Sequence, residues 1–192
     1  KPWKFTFDMI SSKEMNAFAL PGGPVFFYTA LVDKFKTEDQ LAGVLAHEIT
    51  HVTKEHWANA YADSQKRQLG LTALLFLLNA NETAFNIAGV SNALLFELPY
   101  SRRHESEADT LGMKLMVDAG YNPQGMVEVF KILASAGGSK PPEFLSTHPD
   151  DKNRIKRLQE MADKMGKQFA PQKPLVFGPT GRWTGRVARA GR

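Results

Sequence analysis

The stretch that decides the fold is His47–His56, "HEITHVTKEH", which places three histidines within ten residues. A catalytic metal usually has three protein ligands, because a further coordination position must stay open for water. His47 and His51 lie four residues apart, so on a helix both rings project from one face and can bind a single ion. Glu48 lies one position along, near enough to reach a metal-bound water. This HExxH arrangement predicts a metal-dependent hydrolase.

The chemistry of such a site divides the work between the two residue types. The imidazoles hold the metal, and the metal lowers the pKa of its bound water to about 7. Glu48 can then accept the proton while the resulting hydroxide attacks a carbonyl carbon. Glu48 is therefore the candidate catalytic base.

The surrounding pattern predicts the helix that this geometry needs. Thr37 and Gln40 form a capping box, and apolar residues then recur at helical spacing through Val52. We expect a helix that begins near residue 38 and continues past Ala60. On one continuous helix at about 100° per residue, His56 would turn to the face opposite His47. We therefore expect a structural role for His56 and look elsewhere for the third ligand.

The metzincin pattern does not supply that ligand, because Lys54 and Trp57 occupy the positions where it has glycine and histidine. The segment "HESEADTLG", residues 104–112, is the better candidate. Glu105 and Asp109 lie four apart on one predicted helical face, so Glu105 can bind the metal while Asp109 holds the ring N–H of His47.

Two alternatives apply to this segment. Glu107 is rotated by about 200° from Glu105 and should point elsewhere. The whole run "RRHESEAD" is also compatible with an ordinary charged, solvent-facing helix. The ligand role is favoured because two protein ligands do not make a stable catalytic zinc site.

Composition limits the classes of protein that remain. The chain has no cysteine, which excludes disulfides and thiolate metal sites, so any metal must bind nitrogen and oxygen. The formal charge of +4 is accounted for by the C-terminal arginines at positions 182, 186, 189 and 192. We therefore expect no nucleic-acid partner. We divide the chain into one globular domain over residues 1–170 and a basic Gly/Arg extension over residues 171–192.

The N-terminal part has the pattern of strands. "WKFTFDMI" alternates in part, and "NAFALPGGPVFFYTAL" contains two apolar runs joined by a Pro-Gly-Gly-Pro turn, which predicts a hairpin. Residues 69–78 and 84–100 are apolar but interrupted by polar residues. A membrane span needs about 20 apolar residues, so these segments predict buried helices or an apolar surface hairpin. The fold class expected is α+β, mostly helical, with a small sheet near the N-terminus.

Four segments, in this order, resemble the M48 family of metallopeptidases: "NAFALPGG", "TEDQLAGVLAHEITHVTKEH", "SRRHESEADTLG" and "STHPDDKNRIKRL". The likeness spans residues 16–158. It implies a zincin-type domain that binds one Zn²⁺ per chain through His47, His51 and Glu105, with Glu48 as the base.

The resemblance also implies a location and a substrate class. The chain is more similar to the soluble, exported bacterial branch, whose members are periplasmic or lipid-anchored, than to the integral membrane branch. We expect a polypeptide substrate, namely unfolded or misassembled envelope proteins, and a location compatible with peripheral membrane association. Two other functions are open: a metal-containing chaperone or scaffold that does not cleave its clients, and a zinc hydrolase that acts on a non-peptide amide. The sequence does not indicate an oligomeric state.

Two residues after the ligand segments are candidates for the site. His148, in the loop "STHPDD", could donate a hydrogen bond to the oxyanion, fill the open coordination position, or merely cap a turn. Arg154 matches the arginine that usually follows the His-Pro pair in the family. It could brace that loop through a carboxylate, stabilise charge in the site, or face solvent.

The last candidate is a strand for substrate binding, formed by Asn16, Ala17, Phe18 and Ala19. This segment precedes the Pro-Gly-Gly turn and would suit an edge strand against which an extended peptide pairs through its backbone.

Overall fold

The computed structural model describes residues 3–78, 100–136, 141–149, 153–165 and 169–176. Its N-terminal part forms three strands, β1 (Thr6–Ile10), β2 (Ala17–Ala19) and β3 (Pro24–Tyr28), in the order β1-β3-β2. β1 is parallel to β3, and β2 is antiparallel to β3. The predicted hairpin and small sheet are therefore present, and with the predominance of helix they confirm the predicted α+β class.

β2 lies at an edge of this sheet, and its register decides which backbone groups face outward. Asn16 O accepts from Tyr28 N at 2.9 Å, and Leu20 N donates to Pro24 O at 2.8 Å. Residues of an antiparallel strand alternate between pairing inward and outward, so Ala17 and Ala19 direct their N–H and C=O groups away from β3. β2 thus presents backbone groups on the side where no described strand pairs with it.

The central helix is α2 (Glu38–Thr53), which begins where the capping box predicts. Thr37 Oγ1 accepts from Gln40 N at 3.3 Å. Gln40 Oε1 accepts from Lys36 N at 2.7 Å, one residue before the Thr37 N–H that a regular capping box uses. The predicted continuation past Ala60 is wrong, because α2 ends at Thr53 and a new helix, α3 (His56–Leu77), follows. Glu55 makes the break: its φ of 53° lies in the left-handed region, which redirects the chain.

Five further helices complete the described fold. They are α1 (Thr29–Val32), α4 (Arg102–Asp118), α5 (Gln124–Ser135), α6 (Glu143–Thr147) and α7 (Arg154–Lys164). Gly120, with a φ of 88°, follows the end of α4 in the left-handed conformation that glycine commonly adopts just after a helix. The short α6 was not predicted.

The helices around α2 approach it very closely. A Cβ at Gly112 of α4 would lie 3.0 Å from Ala46 O and His47 N, and one at Gly125 of α5 would lie 2.4 Å from Asp39 O. Glycine at these two positions lets α4 and α5 pack directly against the backbone of α2. The core between them contains Val44, Met113, Met126 and Phe130, all buried.

The apolar segment over residues 69–78 forms the C-terminal part of α3. The sequence predicted either a buried helix or an apolar surface hairpin, and the segment is a helix that is largely exposed. The side chains of Leu69, Phe76 and Leu77 are 70%, 74% and 83% exposed. No helix in the described part of the chain is long and apolar enough to cross a membrane. The second apolar segment, residues 84–99, lies outside the described residues.

Residues near the predicted domain boundary lie against the start of α2. Glu38 N donates to Lys173 O, and Leu175 N donates to Lys36 O, each at 2.9 Å. Residues 177–192, which contain the basic Gly/Arg run, lie outside the described residues. The division at residue 170 therefore stays a prediction.

Candidate metal centre

Four buried side chains converge below β2: His47, His51, Glu105 and His148. One potential ligand atom from each lies within 4.8 Å of the others. His47 Nε2 is 3.0 Å from His51 Nε2 and 3.3 Å from Glu105 Oε2, and His51 Nε2 is 3.3 Å from Glu105 Oε1. The three predicted ligands are thus brought together, with His148 as a fourth.

The spacing of these atoms fits a tetrahedral ion. Zinc bonds of about 2.0–2.1 Å in tetrahedral geometry separate neighbouring ligand atoms by about 3.3 Å. The Nε2 atoms of His47 and His51 are 3.0 Å apart, and each lies 3.3 Å from an oxygen of Glu105, Oε2 for His47 and Oε1 for His51, which is close to that value. Nitrogen and carboxylate oxygen are also the donors that zinc accepts when no thiolate is present. The residues therefore fit a zinc ion, and their role as its ligands stays a prediction.

Glu105 reaches the cluster because α4 is held in register against α2. Ser101 caps α4 by accepting from His104 N at 3.2 Å, and the close approach at Gly112 fixes the helix beside His47. Burial alone would raise the pKa of Glu105, but the neighbouring His148, His47 and His51 hold it well below its usual range. The carboxyl group is therefore ionised and ready to bind a cation.

Asp109 lies behind His47, on the side away from the cluster. Its Oδ1 is 3.2 Å from His47 Nδ1, within ion-pair distance, although the geometry falls short of a hydrogen bond. Burial would raise the pKa of Asp109, but its contact with His47 and the charge of Arg154 lower it to about 2. An ionised Asp109 in this position can orient His47 with its Nε2 towards the ion.

Arg154 is the buried cation that ties these groups together. Its side chain is 1% exposed, and its Nη2 donates to Glu105 Oε2 at 2.9 Å and to Asp109 Oδ1 at 2.8 Å. Nη1 donates to His148 O at 3.3 Å, and the guanidinium lies 4.0 Å from the ring centre of Phe130. Of the three roles open for Arg154, the structure favours bracing the His148 loop through carboxylates, and a solvent-facing arginine is wrong.

Glu48 lies next to the cluster and is wholly buried. Its carboxylate faces two groups among the described residues, the backbone N–H of Ala19 and His148 Nε2, which lies 3.5 Å from Oε1, and neither contact has good hydrogen-bond geometry. Burial raises the pKa of Glu48. A buried carboxyl group with few hydrogen-bond partners and a raised pKa can both accept and return a proton, as a catalytic base must.

His148 enters the cluster from the end of α6. Its Nδ1 is 3.1 Å from Glu105 Oε1 and 3.3 Å from His47 Nε2, and its ring stacks on Phe144 with centroids 4.4 Å apart. The residue is 0% exposed and occupies the C-cap position of α6, where its backbone N–H donates to Phe144 O at 2.8 Å, so the capping role stays open beside a role in the cluster. The position of Nδ1 suits a fourth ligand better than a donor to a reacting oxygen.

His56 is closer to the site than the sequence argument placed it. The expectation that it turns to the opposite face rested on one continuous helix, and the break at Glu55 removes that premise. His56 Nδ1 instead lies 2.9 Å from His51 Nδ1, behind the candidate ligand. It remains outside the group of four, as does Glu107, whose Oε2 lies 3.4 Å from His56 Nε2.

Tyr100 was missed by sequence reasoning. Its ring stacks on that of His51 with centroids 3.9 Å apart, and its N–H donates to Thr147 O at 3.1 Å. Burial raises the pKa of its hydroxyl. Trp3, Leu20 and Trp57, with Tyr100, line a cavity of about 170 Å³ that opens beside His51. The local sequence around Tyr100 carries no periodic signal that would have identified it.

The candidate substrate strand lies over the site. Ala17 and Ala19 are buried, Phe18 is half-buried, and β2 packs against α2. Asn16 is buried and its Oδ1 accepts from Ala17 N at 2.9 Å, so one outward-facing N–H is already occupied by a side chain. The backbone of Ala19 lies at the end of β2 next to the turn. Substrate pairing along this edge stays a prediction.

Comparison with known proteins agrees with this geometry. The chain is similar to the mitochondrial metalloendopeptidase OMA1 of Arabidopsis thaliana, with 32% identity over 173 residues that make up 90% of this chain and 34% of the relative. It is also similar to the beta-barrel assembly-enhancing protease of Escherichia coli K12, with 33% identity over 193 aligned positions, 91% of this chain and 39% of the relative. OMA1 of Schizosaccharomyces pombe is 34% identical over 163 residues, 82% of this chain and 46% of the relative.

The chain therefore spans between about a third and a half of the length of these relatives. The family model of peptidase family M48 matches residues 1–162, which include both histidines of the HExxH motif, Glu105, His148 and Arg154. On that match, the chain belongs to peptidase family M48.

Proposed function

We propose that this chain is a zinc-dependent endopeptidase that hydrolyses peptide bonds in proteins. The observation that carries the proposal is the buried group of His47, His51 and Glu105, whose potential ligand atoms lie 3.0–3.3 Å apart, beside the buried carboxyl group of Glu48. Membership of peptidase family M48 supports the same activity.

In this proposal His47, His51 and Glu105 hold one Zn²⁺, and Asp109 and Arg154 keep His47 and Glu105 in place. The bound ion would supply a Lewis acid for the scissile carbonyl and lower the pKa of the attacking water. Glu48 accepts the proton of that water and returns it to the leaving amine. Burial suits this role because it raises the pKa of Glu48 towards the pKa values of the groups with which it exchanges the proton.

β2 would supply the binding edge. An extended peptide pairs with the outward-facing backbone of β2, particularly near Ala19, and this places its carbonyl next to Glu48. Backbone pairing gives affinity that does not depend on side chains, which suits a peptidase that acts on unfolded segments.

His148 completes the proposal as a regulator of access. With Nδ1 in the ligand group and Nε2 3.5 Å from Glu48, it occupies the position that a substrate carbonyl and water need. We infer that substrate must displace His148, and that the alternative role as oxyanion donor applies only after the loop has moved.

We further propose unfolded or misassembled envelope proteins as substrates, in the bacterial periplasm or at the membrane surface. Several relatives are named beta-barrel assembly-enhancing proteases. Bacterial β-barrels lie in the outer membrane, so an enzyme concerned with their assembly belongs in the envelope.

The competing function is a metal-containing chaperone or scaffold that binds unfolded clients without cleaving them. His148 gives this alternative a specific basis, since a closed four-ligand site is typical of structural zinc. Glu48 argues against it, because a structural site has no use for a further buried carboxyl group beside the ligands, and burying such a group with few partners is costly.

One experiment separates the two. Zinc content is measured by atomic spectroscopy, and degradation of an unfolded protein such as reduced casein is followed for the wild type and for Glu48→Gln. A peptidase loses cleavage in the variant while both proteins hold one zinc. If the zinc-loaded wild type binds casein and never cleaves it, the scaffold function replaces the proposal.

A further inference from the structure

The two candidate histidine ligands are supported by different groups behind them. His47 has the carboxylate of Asp109 at its Nδ1, 3.2 Å away. His51 has no carboxylate there among the described residues; its Nδ1 faces the Nδ1 of His56 at 2.9 Å. His56 is 1% exposed, so water does not compete for this contact.

A metal on Nε2 of His51 would fix the positions of two protons along this contact. His51 faces the cluster through Nε2, so a bound metal takes the Nε2 lone pair and the ring proton must be on Nδ1. That N–H can donate to His56 only if the Nδ1 of His56 is an acceptor. His56 must then carry its own proton on Nε2, which lies 3.4 Å from Glu107 Oε2, an acceptor.

We propose that His56 is a positioning residue of the metal centre, in a one-directional chain of hydrogen bonds from His51 through His56 to Glu107. The inference rests on the proposed function, because it needs a metal on His51. It assigns to His56 and Glu107 a role in orienting His51 and in keeping its Nε2 basic, as Asp109 does for His47.

Three features hold the ring of His56 in place for this role. Glu55, with its φ of 53°, turns the chain so that the first residue of α3 points back at α2. The ring of His104 stacks on that of His56 with centroids 4.5 Å apart and an angle of 15°. Lys54 Nζ lies 3.6 Å from Glu107 Oε1, which keeps Glu107 ionised and near His56.

The role predicts a specific pattern among variants of His56. Leucine fills a similar space but cannot accept a hydrogen bond, so His56→Leu leaves the Nδ1–H of His51 buried and unpaired. Asparagine places an amide oxygen near the position of Nδ1, so His56→Asn restores the acceptor without the imidazole. Lys66→Ala is the control, because it removes an exposed charge on the same helix, where Lys66 pairs with Asp63, and leaves His51, His56 and Glu107 unchanged.

The test measures zinc affinity by competition with a chromogenic chelator, on the full chain. We expect His56→Leu to bind zinc about 10- to 100-fold more weakly, the usual cost of losing such a partner. We expect His56→Asn to recover most of that loss and Lys66→Ala to stay within about threefold of wild type. Equal zinc affinity in wild type and His56→Leu would overturn the proposal, as would a loss in His56→Asn as large as that in His56→Leu.

A second measurement does not depend on affinity. Nitrogen-15 NMR of the histidine rings in the zinc-loaded wild type reports which nitrogen of each ring carries hydrogen. The proposal requires Nδ1–H on His51 and Nε2–H on His56, and a proton on Nδ1 of His56 would overturn it. A wild type that binds no zinc would instead refute the proposed function itself, so the two failures are distinguishable.

Discussion

Arg154 binds Asp109 at two points, with Nε 2.9 Å from Oδ2 and Nη2 2.8 Å from Oδ1. Because the same Nη2 also donates to Glu105, α7 is fastened to the candidate ligand and to the carboxylate behind His47 at once. The charge of Arg154 is buried, so it depends on these carboxylates for its stability in the fold.

Asp109→Ala should weaken zinc binding by about 10- to 100-fold, because His47 loses the group that orients it. The same change should destabilise the fold by about 3 kcal/mol, because the buried Arg154 loses its two-point partner. Chelator competition and urea denaturation of the zinc-loaded protein measure the two effects. Asp163→Ala, a change at an exposed position on α7, is the control. Unchanged affinity in Asp109→Ala would exclude a supporting role for that residue.

Glu48→Gln should keep the metal and the fold but lose most peptidase activity, because the amide cannot accept the proton of the attacking water. Zinc content, circular dichroism and cleavage of an unfolded protein give the three results together. Activity close to wild type would mean that Glu48 is not the base.

His148→Ala should raise peptidase activity if His148 fills the fourth position, because substrate then has no competing ligand to displace. If His148 serves mainly as a donor to the oxyanion, the same variant should lose about 10²- to 10³-fold in kcat. Steady-state kinetics distinguish the two, and the close contact of its Nδ1 with Glu105 favours the increase. X-ray absorption at the zinc edge should show one nitrogen ligand fewer in the variant.

If zinc binds as proposed, removal of the metal should lower the melting temperature, because an ion held by residues from separate elements would bind only the folded chain and stabilise it according to its affinity. Scanning calorimetry before and after treatment with a chelator measures the shift. His51→Ala should lower both the zinc content and the shift. A crystal with the ion on His56 or Glu107 would contradict the ligand set of His47, His51 and Glu105.

Gly125→Val should destabilise the fold by about 1–3 kcal/mol, the usual cost of forcing extra atoms into a packed contact. The reason is that a Cβ at this position would lie 2.4 Å from the backbone of Asp39. Gly70→Ala is the matched control, because a Cβ there meets nothing within 4 Å. That change should be neutral or stabilise α3 by up to about 1 kcal/mol. Equal effects of the two substitutions would contradict the close packing of α5 on α2.

The elements that the sequence predicted well are those with local signals. The capping box at Thr37 and Gln40 placed the start of α2, and the spacing of Glu105 and Asp109 placed both on one helical face. The hairpin around Gly22 and Gly23 followed from its turn residues. In each case the deciding interaction spans only a few residues, so the sequence contains it.

What the sequence did not predict depends on contacts over long distances or on a single backbone angle. The segment "HVTKEHW" contains no glycine or asparagine that would predict a left-handed residue, yet Glu55 adopts that conformation. The direction in which His56 points depends on this one backbone angle. The stacking of Tyr100 on His51 likewise joins two elements that have no common sequence pattern. The roles of the candidate site residues stay predictions until the metal and the activity are measured.

The distance along the chain between the parts of the centre has a consequence for its synthesis. His47 and His148 are 101 residues apart, and Arg154 follows on α7. Domains emerge from the ribosome N-terminal part first. A nascent chain that already carries the HExxH helix therefore still lacks the histidine and the arginine that complete and brace the centre. The centre can therefore take its final arrangement only after most of the chain has been translated, because Arg154, which holds Glu105 and Asp109, is synthesised after all of the candidate ligands.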